Sequence, residues 1–416
     1  MPTLPAGYTL RPADADLVPE LLAFDRLVFP NGLDDETAAR WPYPVPVDRS
    51  LAVDAPDGTL AAMHGSYEFA LTVPGATVPC AGLTWVGVHP AHRRRGLLSA
   101  MIDTHLQRCA ARGEPVSTLF AAEAAIYGRF GYGSAADDVR ISAPRRAPLR
   151  PVPGSAELTV RFGSPDAGDT ERLDAVHRAA VAGRPGAVTR DSAVLRQLRV
   201  FDPSGARHGG EPLRLATVLD HDGRLRGYAL LRRHEAWEPA GPRSTVTVHE
   251  IAALDAAAAH RLWSFLLDLD LTWRVDSPRL AVDDPVLQLL VDRRATTPQL
   301  SDNLWLRLVD LPAALSARTY RAPLDLVLEV ADSLVEQNAG RWRLTVGPTG
   351  SAEVTSTAAA ADLALDIREL GAAYLGGRSL RALADTGLID ERTAGAVDAA
   401  TVAFMSPRAP LCDWVF

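Results

Sequence analysis

The sequence predicts a multidomain protein of the α/β (α+β) class, and three observations carry that reading. Its 416 residues exceed what one hydrophobic core usually organises, which suggests two or three domains. Hydrophobic residues make up 47% and charged residues 23%, the balance of an ordinary globular chain. Apolar runs of strand period alternate with runs of helical spacing.

The elements follow in order. Leu17 to Phe29 has helical apolar spacing, Leu60 to Met63 and Tyr67 to Val73 read as strands, and Leu83 to Val88 as a further strand. A helix is expected from about Gly96 to Arg112, and a strand from Val116 to Ala121. Pro144 to Pro153, rich in proline and arginine, reads as a linker. The next segment repeats this logic: Asp57-Gly58-Thr59-Leu60 and Asp222-Gly223-Arg224-Leu225 each lead into a strand, and Val246 to Ile251 precedes a helix that starts at Asp255. From near Asp302, strands at 324–330, 341–346 and 352–356 alternate with helices at 312–317, 367–374 and 380–386, an α+β pattern with a mostly antiparallel sheet. Domains are therefore expected over residues 1–150, 151–300 and 301–416.

Chemistry concentrates in Val86-Gly87-Val88-His89-Pro90-Ala91-His92-Arg93-Arg94-Arg95-Gly96-Leu97-Leu98-Ser99. A hydrophobic strand passes through a proline into an arginine-glycine turn that opens a helix. The first backbone N–H groups of a helix lack intrahelical partners and, with the positive end of the dipole, hold anionic oxygens. Gly96 permits close approach, and Arg93, Arg94 and Arg95 add guanidinium forks suited to phosphate. That is a pyrophosphate site. The helix at Asp255 has neither the glycine nor the arginines, so the second segment reads as a copy without a cofactor site.

Composition excludes other classes. A net charge of −8 argues against nucleic acid as the main partner. No apolar run approaches the ~20 residues of a membrane span, and Met1 to Leu10 does not read as a signal peptide, so a cytoplasmic protein is expected. Cys80, Cys109 and Cys412 have no metal-ligand spacing, and their odd number argues against a disulfide framework. His89 and His92 share one turn without a third ligand, so loop contacts are expected there and no metal. All 43 basic side chains are arginine, and the chain contains no lysine.

The Val-x-Val-x-Pro run followed by Arg-Arg-x-Gly-x-Leu resembles the acyl-CoA motif of the GNAT acetyltransferases, from which Leu98 departs at the last position. The strings IYGRFGYG at 126–133, DNLWLRLVDLPAAL at 302–315 and LGAAYLGG at 370–377, with a terminal phenylalanine, resemble the Eis acetyltransferases over essentially the full length. The resemblance implies tandem GNAT-like domains, the second without cofactor, then a sterol-carrier-protein-like domain. It also implies a hexamer, acetyl-CoA as acyl donor, and polyamine or aminoglycoside-like amines as acceptors. By motif, Val86, Gly87 and Val88 would flank the thioester and pantetheine, with Ala122 and Glu123 along the pantetheine arm. Arg94, Arg95, Gly96, Leu97, Leu98 and Ser99 would hold the pyrophosphate, with Arg93 beside them. Tyr127 matches the general acid, and Phe416 the terminal carboxylate that serves as general base.

Phe29, Trp41 and Trp85 are candidate acceptor-pocket walls, while Asp34 and its neighbour Asp35, and Asp413, are candidate cation handles. Ala122, Val415 and Asn31 depart from the small polar and two acidic residues that the resemblance leads one to expect. The competing reading is a CoA-responsive or lipid-binding scaffold with vestigial transfer activity.

Overall fold

The computed structural model describes residues 4–30 and 34–416, with the backbone only for Pro278; Asn31 lies outside the described residues. Three main sheets organise them. In the first, the strand order is Thr9–Pro12, Ser50–Asp54, Leu60–Val73, Ala76–Val88, Val116–Leu119, Trp305–Leu308 and Gly133–Ser134. The second runs Gln299–Asp302, Asp137–Pro144, Thr272–Ala281, Ser244–Ala253, Leu225–His234, Arg214–Leu219 and Thr159–Gly163. The third contains Ala352–Ser356, Gly340–Val346, Leu324–Ala331, Leu363–Asp366 and Ile389–Glu391, with one parallel pairing among antiparallel ones.

Local chemistry explains the elements that shape the cavity. The hairpin of Leu60–Val73 with Ala76–Val88 turns at Pro74-Gly75, where Gly75 has φ +75° and a Cβ would stand 2.2 Å from Thr319 Oγ1. The helix Leu97–Ala111 buries Leu97, Ala100, Met101, Ile102, His105, Leu106 and Cys109, an apolar stripe at helical spacing. Cys109 is thus a small core side chain, as its spacing predicts.

Two features depart from the linear reading. Leu60–Val73 is a single strand because His64, Gly65 and Ser66, which interrupt the apolar pattern, are themselves buried against its neighbours. Trp305–Leu308 does not open the third sheet: it is inserted in the first, antiparallel to both Val116–Leu119 and Gly133–Ser134. Its Arg307, fully buried, donates from Nη2 to both carboxylate oxygens of Asp332, at 2.7 and 2.6 Å. A shared core then joins first sheet, third sheet and C-terminal tail through Phe69, Cys80, Leu306, Tyr374 and Trp414. The tail is part of the body that carries the motif strand.

Candidate active site

The site begins where the central strand of the first sheet is broken. Ala76–Val88 pairs in parallel with Val116–Leu119 only at Cys80, Ala81 and Gly82; beyond Gly82 that flank has no strand partner. On its other flank the register with Leu60–Val73 slips between Thr84 and Gly87, and Trp85 adopts φ +53°. A bulge of this kind re-aims the strand and leaves backbone groups unpaired. His89 N–H donates to Ala61 carbonyl oxygen at 2.8 Å, so by strand alternation the N–H of Val88 points to the opposite, open flank.

The opened strands border a cavity of about 1330 Å³. At one end lies the start of Leu97–Ala111. Its N-cap is Gly96 at φ +82°, and no side chain caps it. The first amides of the helix are therefore free for an anion. Arg93, Arg94 and Gly96 through Ser99 line this end, and Arg93 and Arg94 are exposed. Such residues fit a pyrophosphate. The corresponding helix of the second sheet, Ala256–Asp268, does not: Asp255 caps it by accepting from Ala258 N–H at 2.8 Å and pairs with Arg226, so a carboxylate already occupies the helix start.

Tyr127 and Phe416 line the same cavity. Tyr127 ends the short helix Ala124–Tyr127, and burial, with Glu123 nearby, raises its phenol pKa and keeps it protonated at neutral pH. The ring of Phe416 packs edge-on against Phe69 and Phe120, with centroids at 4.9 and 5.3 Å. A Cβ on Gly82, the last residue before the strands part, would come within 3.1 Å of that ring. Upstream, the buried Asn303 side chain holds Cys412 at both backbone groups, accepting its N–H at 2.9 Å and donating to its carbonyl at 3.0 Å. His177 Nε2 meets Asp413 Oδ2 at 2.6 Å.

Family models describe residues 9–135 and 186–308 each as an acetyltransferase (GNAT) domain, and residues 311–413 as a sterol carrier protein domain. An uncharacterized N-acetyltransferase of Streptomyces avermitilis is 42% identical over 374 residues, 89% of this chain and 90% of its own length. N-acetyltransferase Eis of Mycobacterium bovis is 34% identical over 371 residues, 86% of each chain. The chain belongs to the Eis-like GNAT acetyltransferases. The crystal structure of Eis1 from Mycobacterium abscessus superposes with a TM-score of 0.81 at 31% identity, covering 98% of this chain and all of that one. The Eis-like chain is accordingly an acyltransferase, and its fold implies acetyl-CoA as donor.

Most sequence-predicted residues of this Eis-like enzyme meet in the cavity. Val86, Gly87, Val88, Arg93, Arg94, Gly96, Leu97, Leu98, Ser99, Ala122, Glu123, Phe29 and Trp85 all line it. Four do not. Arg95 turns to Tyr8, donating from Nη1 at 3.1 Å, with Tyr8 hydroxyl in turn bonded to His92 Nδ1. Trp41 packs against Phe201 at 5.4 Å between centroids. Asp34 caps the helix Asp35–Arg40 by accepting Thr37 N–H at 2.7 Å, a helix-start role. Asp413 is taken by His177, as described, in a buried group with Arg190, Glu250 and Arg199. Burial alone would raise the Asp413 carboxyl pKa, but His177 and the arginines hold it well below the usual range.

Sequence reasoning passed over Asp25, Asp138, Arg140, Arg279 and Asn303, which also line the cavity. Asp25 carried one signal: it stands four residues after Leu21 on the helix Val18–Val28, beside the buried stripe. Burial pushes its carboxyl up to about 6. The others had no local signal, because a second-sheet wall beside the tail exists only after folding.

Proposed function

We propose that this acetyltransferase moves the acetyl group of acetyl-CoA to a primary amine of a small acceptor, with Tyr127 as general acid and the α-carboxylate of Phe416 as general base. The shared cavity of Tyr127, Phe416 and the uncapped helix start supports this reading. The neutral amine nitrogen attacks the thioester carbonyl carbon, forming C–N. The developing oxyanion is held by Val88 N–H, an interaction of a type worth ~3 kcal/mol per donor in other acyl-transfer enzymes. As C–S breaks, sulfur takes the Tyr127 proton and the amine proton passes to the Phe416 carboxylate. Solvent exchange returns both groups to their starting states, leaving an amide and free CoA thiol.

Ala122 offers no side-chain hydrogen bond to the pantetheine arm, which leaves that contact to backbone groups and Glu123. Polyamine and aminoglycoside-like amines are the proposed acceptor class, with Phe29 and Trp85 as walls. The handles Asp34 and Asp413 are engaged elsewhere. Asp25 supplies a carboxylate in their place. Thiol release from acetyl-CoA with a panel of amines tests the reading: turnover that depends on amine and collapses in Tyr127→Phe supports it, and hydrolysis indifferent to amine refutes it. Light scattering tests the hexamer proposed by family membership.

A further inference from the structure

One wall of the cavity comes from the second sheet, and the transfer step does not use its chemistry. Asp138, on the strand Asp137–Pro144, is 2% exposed; its Oδ2 accepts from Asn303 Nδ2 at 3.1 Å, while its buried Oδ1 has no hydrogen-bond partner. Arg140 lies two residues along and therefore on the same face, with Nε 3.7 Å from that open oxygen, too far for a hydrogen bond. The neighbouring strand slips register between Ser277 and Leu280, and the bulge carries Arg279 at φ +58°. Arg279 Nε is buried without a partner. Among the described residues seven non-glycine positions have positive φ, and three of them, Trp85, Arg94 and Arg279, line this cavity. Backbone held in that region concentrates at functional sites.

The wall adjoins the tail. Asn303, which bonds Asp138, is the residue that grips Cys412, and Arg279 feels Arg199, Asp138, Asp413 and Arg140 as its charged neighbours. The buried Arg279 Nε lacks the hydrogen bond that burial demands, and the Arg140 guanidinium nearby adds repulsion. An anion between them relieves both. Asp302 on the same wall is engaged by Trp305 Nε1 at 2.7 Å, so it contributes its charge while the buried Arg279 Nε stays without a hydrogen-bond partner.

We propose that Arg279 and Arg140 form a carboxylate subsite, so that the preferred acceptor is an amine bearing an acid group, a zwitterion of amino-acid type rather than a pure polycation. The inference rests on the amine-acetylation reading above and shifts its preferred acceptor from polycations to zwitterions. Forked guanidinium donors recognise carboxylates by paired N–H bonds, and charge-assisted bonds of this kind discriminate by about 10- to 100-fold.

Lysine and cadaverine differ only in the α-carboxylate and form the matched test. The expected result is a kcat/KM for lysine at least about tenfold above that for cadaverine, with the ratio falling towards one in Arg279→Gln and in Arg140→Gln. Arg140 has a half-exposed side chain, so its variant folds even where the more buried Arg279 variant does not. Equal or better turnover of cadaverine, or a preference that survives both substitutions, overturns the subsite. Inert lysine beside turnover of cadaverine or of any other amine in the panel overturns the subsite alone, whereas a panel without one active amine overturns the amine-acetylation reading with it.

Discussion

Replacing Asn303 by leucine keeps the branched heavy-atom shape of the side chain and removes three buried hydrogen bonds. Asn303 is 1% exposed and Cys412 is fully buried, so water cannot replace what is lost. Cys412 N–H and carbonyl, bonded at 2.9 and 3.0 Å, and Asp138 Oδ2, bonded at 3.1 Å, are all left without this partner. At ~1–2 kcal/mol for each orphaned group, the two bonds to Cys412 take about 2–4 kcal/mol of anchoring from the tail, and the bond to Asp138 is a further local loss. The aromatic contacts of Trp414 and Phe416 with Tyr67 and Phe69 offset part of it. None of the three bonds touches the helix start at Gly96. The expected outcome is a fall in kcat of about 10- to 100-fold, as a tail once fixed spends most of its time displaced, with acetyl-CoA affinity within about twofold. Thiol-release kinetics and calorimetric titration with acetyl-CoA measure the two separately. Unchanged kcat refutes the reasoning, and so does a parallel loss of acetyl-CoA affinity, which would mean general loss of fold.

Tyr127→Phe should lower kcat by about 10²-fold or more while leaving acetyl-CoA binding intact, because only the proton donor is lost; equal loss of both would indicate packing. The Asp25 carboxyl is raised by burial from an ordinary 3.8 to about 6, so its ionisation opposes folding increasingly as pH rises across that interval. Asp25→Asn should therefore raise thermal stability at pH 8 and lose that advantage below pH ~4, as thermal melts across pH would report; a gain confined to acid pH contradicts this sign. Gly131 sits at φ +78°, and a Cβ there would stand 2.8 Å from Arg307 Cζ, so Gly131→Ala should destabilise by about 2–4 kcal/mol in urea unfolding. With no lysine present, prolonged incubation with acetyl-CoA should add no internal acetyl groups by intact mass.

The stretch from 83 to 112 was legible almost to the residue, since strand, proline, arginines, glycine and an amphipathic helix are each locally encoded. So were three strands and three helices of the third segment, whose bounds shift by a residue or so, but not the strands Leu363–Asp366 and Ile389–Glu391 or the helix Ala396–Phe404. What the sequence hides is pairing between distant segments. Asp413 looked like a free carboxylate, yet His177, 236 positions away, takes it. Trp305–Leu308 reads as an ordinary strand, and nothing local says it completes the first sheet. The motif glycines are similar: Gly131 makes room for Arg307, and a Cβ on Gly133 would strike the carbonyl of Arg368 at 2.0 Å. Their strings marked a family; their physical reason lies in the packing of the third domain on the first.

Amine deprotonation in the proposed transfer depends on the charge at the end of the tail. Ligating a synthetic C-terminal peptide to give Phe416 as its primary amide removes that charge and changes almost nothing else. The expected result is a fall in kcat of about 10²-fold or more with acetyl-CoA binding unchanged. Full turnover by the amide would contradict it.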